Sequence, residues 1–331
     1  MKFGIQINRS TESIEEHLKI VELAEQAGFD PILFADGVST AGVTHRDVYA
    51  MLVLWAQRVR NAKIGTCVTN PITRHPAVTA NAICTIDEIS DGRAILGIGI
   101  GDTPVFVLGL QPARLKVLRE SIETIRAFCR GDPFELNGRP VQSPWNRGDI
   151  PILLAADGPK TLELAGELSD GVIVGSGLHE EVVRWALDRI HDGAKRTERT
   201  TPEIWLNGIC HIVSDANEGR EFIRRRLITR VNHNFRAGIH AVPDVHRQEV
   251  ERLRAEYDES DVGPTSKNVA LITDYLVDRF SITGNVDYAV DRLTRLAEQG
   301  VERFMVATHY FKEHRLRTIE AFGHTIIPRL R

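Results

Sequence analysis

The residues best suited to chemistry in this chain are small, polar and set beside glycine. Asp157-Gly158 and Gly175-Ser176-Gly177 each precede a stretch of helical periodicity. Backbone N–H groups left open at a helix start, joined by a hydroxyl, can cradle a phosphate or another anion. A plain loop is the alternative for either turn, but two on successive units point to an anion site better than one. Gly97-Ile98-Gly99-Ile100-Gly101-Asp102 is a further glycine-rich run. Where side chains are absent, a flat ligand can approach the backbone closely, or the run is simply a structural turn. Asp36 and Asp102 can hold a proton, and Thr69-Asn70 offers a hydroxyl and an amide. The alternative for both carboxylates is a loop cap. There is no Ser-centred elbow, and no two histidines are spaced as metal ligands on one helix face.

These candidates stand at the ends of apolar runs of strand length. Such runs are Phe3–Asn8, Pro31–Ala35, Ala62–Val68, Arg93–Ile98, Pro151–Ala156, Gly171–Val174, Glu203–Val213 and Arg303–Ala307. Between them lie helical patterns: Ser13–Ala27 closed by Gly28, Asp47–Arg60, Pro76–Ile89, Arg114–Arg130, Pro159–Leu168, His179–Lys195, Ala216–Arg230 and Val286–Gln299. A last helix falls within Phe311–Ile327, ahead of Pro328. Eight strand–helix units rich in Ile, Val and Leu predict a parallel sheet buried on both faces. A (β/α)₈ barrel suits the 331 residues, and no G-x-G-x-x-G follows the first strand to favour an open doubly wound sheet. In such a barrel the loops after the strands build the active site. Asn8, His211 and Thr308-His309 stand at strand ends too. The repeat breaks over 232–283, with a charged helix at Gln248–Tyr257, a Gly263-Pro264 break and a helix at Asn268–Phe280. An insertion of that length is expected to be functional, as a lid or a substrate wall. Arg93 is expected to tie a carbonyl or a carboxylate at the barrel bottom.

The balance of the chain narrows the function classes. It is 42% hydrophobic and 26% charged, so a large core is possible. A net charge of −4 gives no basis for nucleic-acid binding. No apolar stretch approaches the roughly 20 residues of a membrane span, and the first residues read as a strand, not a signal peptide. Cys67, Cys84, Cys129 and Cys210 are far apart in sequence and suggest neither a disulfide framework nor zinc. The expectation is a cytoplasmic protein acting on a small molecule.

One long stretch carries a resemblance. Val68-Thr69-Asn70-Pro71-Ile72-Thr73-Arg74-His75-Pro76, continuing through Thr85-Ile86-Asp87-Glu88-Ile89-Ser90-Asp91-Gly92-Arg93 to Gly101-Asp102, resembles the luciferase-like monooxygenase superfamily. More narrowly it resembles the deazaflavin branch of methylenetetrahydromethanopterin reductases. Arg46-Asp47-Val48-Tyr49, Ala155-Ala156-Asp157-Gly158-Pro159-Lys160 and the stretch from Ile272-Thr273-Asp274 to Ile282-Thr283-Gly284 are similar as well. The resemblance spans nearly the whole chain. It implies one (β/α)₈ barrel domain over 1–331 with an insertion after strand seven. It also implies coenzyme F420, with FMN in relatives, and a homodimer. The cofactor ring would lie in the barrel mouth against Cys67, Val68, Thr69, Asn70, Gly99 and Gly101, and its phosphate on Ala156, Asp157, Gly158, Gly175, Ser176 and Gly177. The family carries a non-prolyl cis peptide behind the ring, here Cys67–Val68. Asp36 and Asp102 would face the substrate.

The chain departs from the family at one point. Relatives commonly place a histidine right after the strand-two aspartate, where this chain has Gly37, followed by the loop Val38–Thr44 and then His45, which could swing back as its substitute. The implied function is hydride transfer between F420 and a small organic substrate at a C=N, C=O or C=C bond. An FMN-dependent monooxygenase and a non-catalytic flavin-binding barrel are the alternatives.

Overall fold

The computed structural model describes residues 1–8, 12–39, 44–236, 238–259, 261, 266–308 and 311–331. Thus His309, Gly263-Pro264 and part of the Val38–Thr44 loop lie outside the described residues. Two compact units emerge, Gly4–Ala155 with Leu168–Val172, and Met1–Phe3 with Ala156–Glu167 and Ile173–Arg331.

In the first unit, strand and helix alternate as β1 (Lys2–Ile7), α1 (Ile14–Gln26), β2 (Ile32–Phe34), α2 (Val48–Arg58), β3 (Ile64–Thr66), α3 (Pro76–Ile89), β4 (Ala94–Ile98), α4 (Leu115–Arg130) and β5 (Ile152–Ala156). Local chemistry sets the ends. Ser13 and Glu16 form a reciprocal capping box at α1, Asp47 caps α2, and Pro76 opens α3. The strands run parallel in step, with Ile5 opposite Ile32, Ile32 opposite Ile64, Ile64 opposite Ala94 and Leu96 opposite Ile152. Trp55 is fully buried, with its ring centroid 5.2 Å from Phe34 and 5.5 Å from His17. A buried side chain of this kind contributes about 1.5–3 kcal/mol or more through its apolar area. Arg93 donates to the carbonyls of Ala62 and Ala56 at 2.9 and 3.3 Å, as its position suggested.

The second unit continues with α5 (Pro159–Leu168), β6 (Gly171–Val174), α6 (Glu180–Arg196), β7 (Glu203–Ile212), α7 (Ala216–Phe235), α8 (Asp244–Glu256), α9 (Asp274–Phe280), β8 (Ser281–Gly284), α10 (Val286–Glu298), β9 (Arg303–Ala307) and α11 (Lys312–Ala321). One parallel sheet has the order β8-β7-β9-β1-β2-β3-β4-β5-β6, and β6 also pairs with β7. That is the closed (β/α)₈ barrel with one extra short strand, β8.

The structure corrects the sequence reading in several places. Helix α7 runs on to Phe235, because Val231 and Phe235 continue the buried face of Leu227 and Ile228, a periodicity hidden by Asn232, His233 and Asn234. Helix α8 starts at Asp244, behind Pro243, not at Gln248. The stretch 268–280 is not one helix. A 3₁₀ turn, Lys267–Leu271, ends at extended Ile272, and Thr273 caps α9. Ser281–Gly284 is a strand paired with β7, Ser281 opposite Ile209. It is too short and polar to show as one, yet all four residues are buried, and the Ser281 hydroxyl meets Val277 O at 2.8 Å and Thr283 Oγ1 at 3.0 Å. The insertion is therefore well built. Leu227, Val231, Phe235, Leu253, Leu276 and Phe280 share one apolar cluster. A one-turn helix at Thr103–Phe106 and a hairpin, Phe134–Leu136 with Arg139–Val141, were also not legible. Finally, the last helix does not stop before Pro328. A π turn, Phe322–Ile326, widens the coil so that Ile327 N–H bonds to Phe322 O, and Pro328 then enters at the start of the next turn, where it needs no N–H.

Candidate functional site

In the Gly4–Ala155 unit, the strand ends gather most of the predicted ring-side residues. Thr69 is tied into the end of β4, its N–H donating to Gly97 O at 2.9 Å and its carbonyl accepting from Gly99 N–H at 2.9 Å. That fixes its hydroxyl, which donates to Asp36 Oδ2 at 2.8 Å. Burial raises the Asp36 carboxyl above its ordinary value, against the opposing pull of the Thr69 hydroxyl, the Gly37 N–H and the more distant Arg74. The carboxyl is thus biased toward carrying a proton. Beside it lies Tyr49, whose phenol burial pushes up to about 12. The Arg74 guanidinium sits 4.5 Å over the Tyr49 ring and pairs with Asp47 at 2.7 Å.

The peptide Cys67–Val68 is cis, and the Cys67 carbonyl accepts from Gln6 Nε2 at 3.1 Å. Val68 packs against Gly99, where an added Cβ would come within 3.2 Å of Val68 Cγ2. Asn70 Oδ1 accepts from the N–H groups of Ile72 and Thr73 at 3.0 and 2.9 Å, which holds the loop before α3. Gly101 has φ +96° and lies against Asn70 and Val105, so glycine is required there for both conformation and space. Asp102 heads the Thr103–Phe106 turn. Its carbonyl accepts from Val105 and Phe106, while its side chain makes no cap bond to that turn. The loop-cap alternative for the Asp102 carboxylate therefore does not describe that turn. At Gly37, the space a side chain would need is filled by the His45 ring. His45 N–H donates to Ser39 Oγ at 2.8 Å, and its carbonyl accepts from the same hydroxyl at 2.9 Å.

The second unit holds the predicted anion-side residues. Gly158 leads into α5 and its carbonyl accepts from Leu162 N–H at 2.9 Å; an added Cβ there would meet nothing within 4 Å. Ala156 is buried at the end of β5. The Asp157 carboxylate bonds Gly175 N–H at 2.8 Å and His233 Nε2 at 3.2 Å, and its carbonyl accepts from Ser176 Oγ at 3.1 Å. Burial pushes Asp157 upward, but His233, Arg230 and the Gly175 N–H together hold it below the ordinary carboxylate value. Arg230 donates to Gly175 O at 2.9 Å and to Asn207 Oδ1 at 2.8 Å, and Asn234 reaches Gly175 O at 3.3 Å. Below the loop, Arg279 is 1% exposed and donates to Ser176 O, Ala241 O, His240 O and Tyr275 Oη. Gly177 has φ +140° and leaves its Cβ position 2.7 Å from Arg279 Cγ. The predicted turns are thus brought together, and one of their N–H groups is already engaged by Asp157.

Sequence reasoning missed Arg230, His233, Asn234 and Arg279. The first three follow i, i+3, i+4 spacing on α7, a signal that was available; Arg279 is separated from Ser176 by 103 residues and gave none. His211, also at a strand end, is 1% exposed, its ring stacked on Phe222 at 5.1 Å and 4.8 Å from His314. Burial lowers its imidazole to about 4, so it is neutral at pH 7. Among the described residues no cluster of His, Cys, Asp and Glu could hold a metal ion, and no helix is long and apolar enough to cross a membrane.

Comparison with known proteins adds four likenesses. A family model described as luciferase-like monooxygenase matches residues 1–303. The 5,10-methylenetetrahydromethanopterin reductase of Archaeoglobus fulgidus is 32% identical over all of both chains, and that of Methanolobus tindarius is 31% identical over 99% of this chain and 100% of its own. Among solved structures, the coenzyme F420 dependent tetrahydromethanopterin reductase of Methanopyrus kandleri superposes with a TM-score of 0.78 at 24% identity, over 100% of this chain and 99% of that one.

Proposed function

The chain belongs to the luciferase-like monooxygenase family, and from that premise we propose that it is an oxidoreductase using coenzyme F420. The proposed reaction moves a hydride between the cofactor and a small organic substrate at a C=N, C=O or C=C bond. The observation that carries this reading is the contact between Asp36 and Thr69 at the strand ends, where the Thr69 hydroxyl donates to Asp36 Oδ2 at 2.8 Å beside Gly99 and Gly101. Full-length likeness to two 5,10-methylenetetrahydromethanopterin reductases supports it.

The residues present fit the cofactor. On the anion side, the Arg230 guanidinium and the His233 imidazole, which is cationic when protonated, stand beside the Asp157 carboxylate, so the cluster offers donors to an anionic group. Gly158 leaves open space for one. On the ring side, Gly99 and Gly101 remove bulk beside Val68 and Asn70, which suits a flat heterocycle. F420, when bound, supplies a hydride donor or acceptor at the C5 carbon of its ring.

Cys67, Val68, Thr69, Asn70, Gly99 and Gly101 form the apolar and amide wall for that ring. Ala156, Asp157, Gly158, Gly175, Ser176 and Gly177 hold the anionic part, with Arg230 fixing the Gly175 carbonyl and Arg279 that of Ser176. Asp36 gives or takes the proton that accompanies hydride transfer, and Thr69 keeps its Oδ2 in place. Asp102 is the second polar group toward substrate. The same reading takes the protein as a cytoplasmic homodimer, which sedimentation and cell fractionation check.

Titration with F420 and, separately, with oxidised FMN tests the proposal. Tight binding of F420 alone supports it and justifies a screen of C=N, C=O and C=C acceptors. Tight binding of FMN alone replaces it with an oxygen-using monooxygenase. F420 binding without turnover on any acceptor replaces it with a non-catalytic binding barrel.

A further inference from the structure

Four cysteines scattered through the sequence gave no sign of a pair, yet two of them meet. Cys84 lies in the middle of α3 and Cys129 near the end of α4, and these helices pack against each other. Their Sγ atoms are 3.4 Å apart, within van der Waals contact, and the residues are 0% and 3% exposed. We propose that Cys84 and Cys129 form a redox modification site, closing to a reversible disulfide that cross-links α3 to α4.

The surroundings hold this contact in place. One turn after Cys84, Asp87 accepts from Arg147 Nε at 2.9 Å, and the Arg147 backbone N–H donates to Cys129 O at 2.9 Å. The same arginine thus bridges the helix of one cysteine to the backbone of the other. A disulfide has its sulfurs about 2.0 Å apart, so closure needs a movement of roughly 1.4 Å, within reach of side-chain rotation. Both partners sit on helices of the Gly4–Ala155 unit, so no rearrangement between distant segments is involved. Cys67 and Cys210 are buried in other elements, at the end of β3 and within β7.

The step balances with a low-molecular-weight disulfide as oxidant. One protein thiolate attacks it, releasing one small thiol and leaving a mixed disulfide. The second protein thiolate displaces the other small thiol, so two protein thiols are oxidised and one small disulfide is reduced to two thiols. The closed ring spans 45 residues, which restricts the unfolded chain and raises the thermal midpoint. Burial makes the reaction depend on local opening, so it is slow in the native state and reversible.

The test uses the full chain equilibrated in mixtures of oxidised and reduced glutathione, then denatured and alkylated. The expected result is loss of two of the four thiols in oxidising mixtures and a non-reducing peptide map containing one linked pair, Cys84 with Cys129. A higher thermal midpoint that reverts with reductant accompanies it. Refolding from denaturant in the same mixtures removes access as a limit. Four alkylated thiols after refolding at every mixture, or links scattered over Cys67 and Cys210, overturn the proposal. C84S and C129S each abolish the linked peptide and the shift in midpoint; persistence of the shift in either also overturns it.

Discussion

The His45 ring stands where a side chain at Gly37 would have to go. Where the resemblance implies a histidine after the strand-two aspartate the sequence has Gly37, and an imidazole from eight residues further along fills the space beside it. Its backbone is held on both sides by the Ser39 hydroxyl. Gly37→Ala is expected to cost about 1 kcal/mol, the low end of overpacking, because the ring can turn aside. In a His45→Ala background the cost is expected to vanish. Urea denaturation of the four chains of this double-mutant cycle checks it, and equal costs in both backgrounds would show that the ring is not there.

Asp36 provides a pH test. Its folded carboxyl titrates above the unfolded one, so its favourable contribution is full below the unfolded value near 4 and is lost as pH rises through the folded value. Asp36→Asn removes that dependence. The stability of the variant relative to the parent is therefore expected to improve as pH rises from about 4 through the folded value, and to level off above it. A difference independent of pH would mean that burial does not raise this carboxyl.

Asp157 runs the other way. Its folded carboxyl titrates below the unfolded one, so its contribution is present above the unfolded value and is lost as pH falls through the folded value. Asp157→Asn is expected to lose about 1.5–3 kcal/mol at pH 7, the value of charge-assisted hydrogen bonds to Gly175 N–H and His233. The deficit should shrink in acid, below about pH 4. Denaturation at pH 7 and pH 3 reads both parts.

Gly158 and Gly177 separate fold from binding. Gly158 has open space at its Cβ position and leads into α5, where aspartate is a favoured cap. Gly158→Asp is expected to keep the thermal midpoint while weakening F420 binding at least about tenfold, roughly 1.4 kcal/mol, by placing a negative charge in the anion cradle. Gly177→Asp is not an equivalent test, because its left-handed backbone and the Arg279 contact make it a structural change. Even Gly177→Ala is expected to lose about 1–3 kcal/mol of stability. Unchanged F420 affinity in folded Gly158→Asp would remove the loops after β5 and β6 from the cofactor site.

The alternation of apolar strands and amphipathic helices determined the barrel, because a sheet buried on both faces leaves a continuous apolar run that short-range pattern detects. Asp36, Thr69, Gly101 and the turns at Asp157 and Gly175 were legible for the same reason: each stands where a run ends. What remained hidden was whatever depends on partners far along the chain. Ser281–Gly284 becomes a strand only because β7 offers it an edge, and α7 continues past Asn232 only because Val231 and Phe235 find an apolar cluster. Arg279 under Ser176, the His45 ring on Gly37 and the Cys84–Cys129 contact join residues that no local periodicity relates. Local pattern records which side chains prefer burial; which groups then meet inside is decided by packing of the whole chain, and there the tertiary structure alone chose the neighbours.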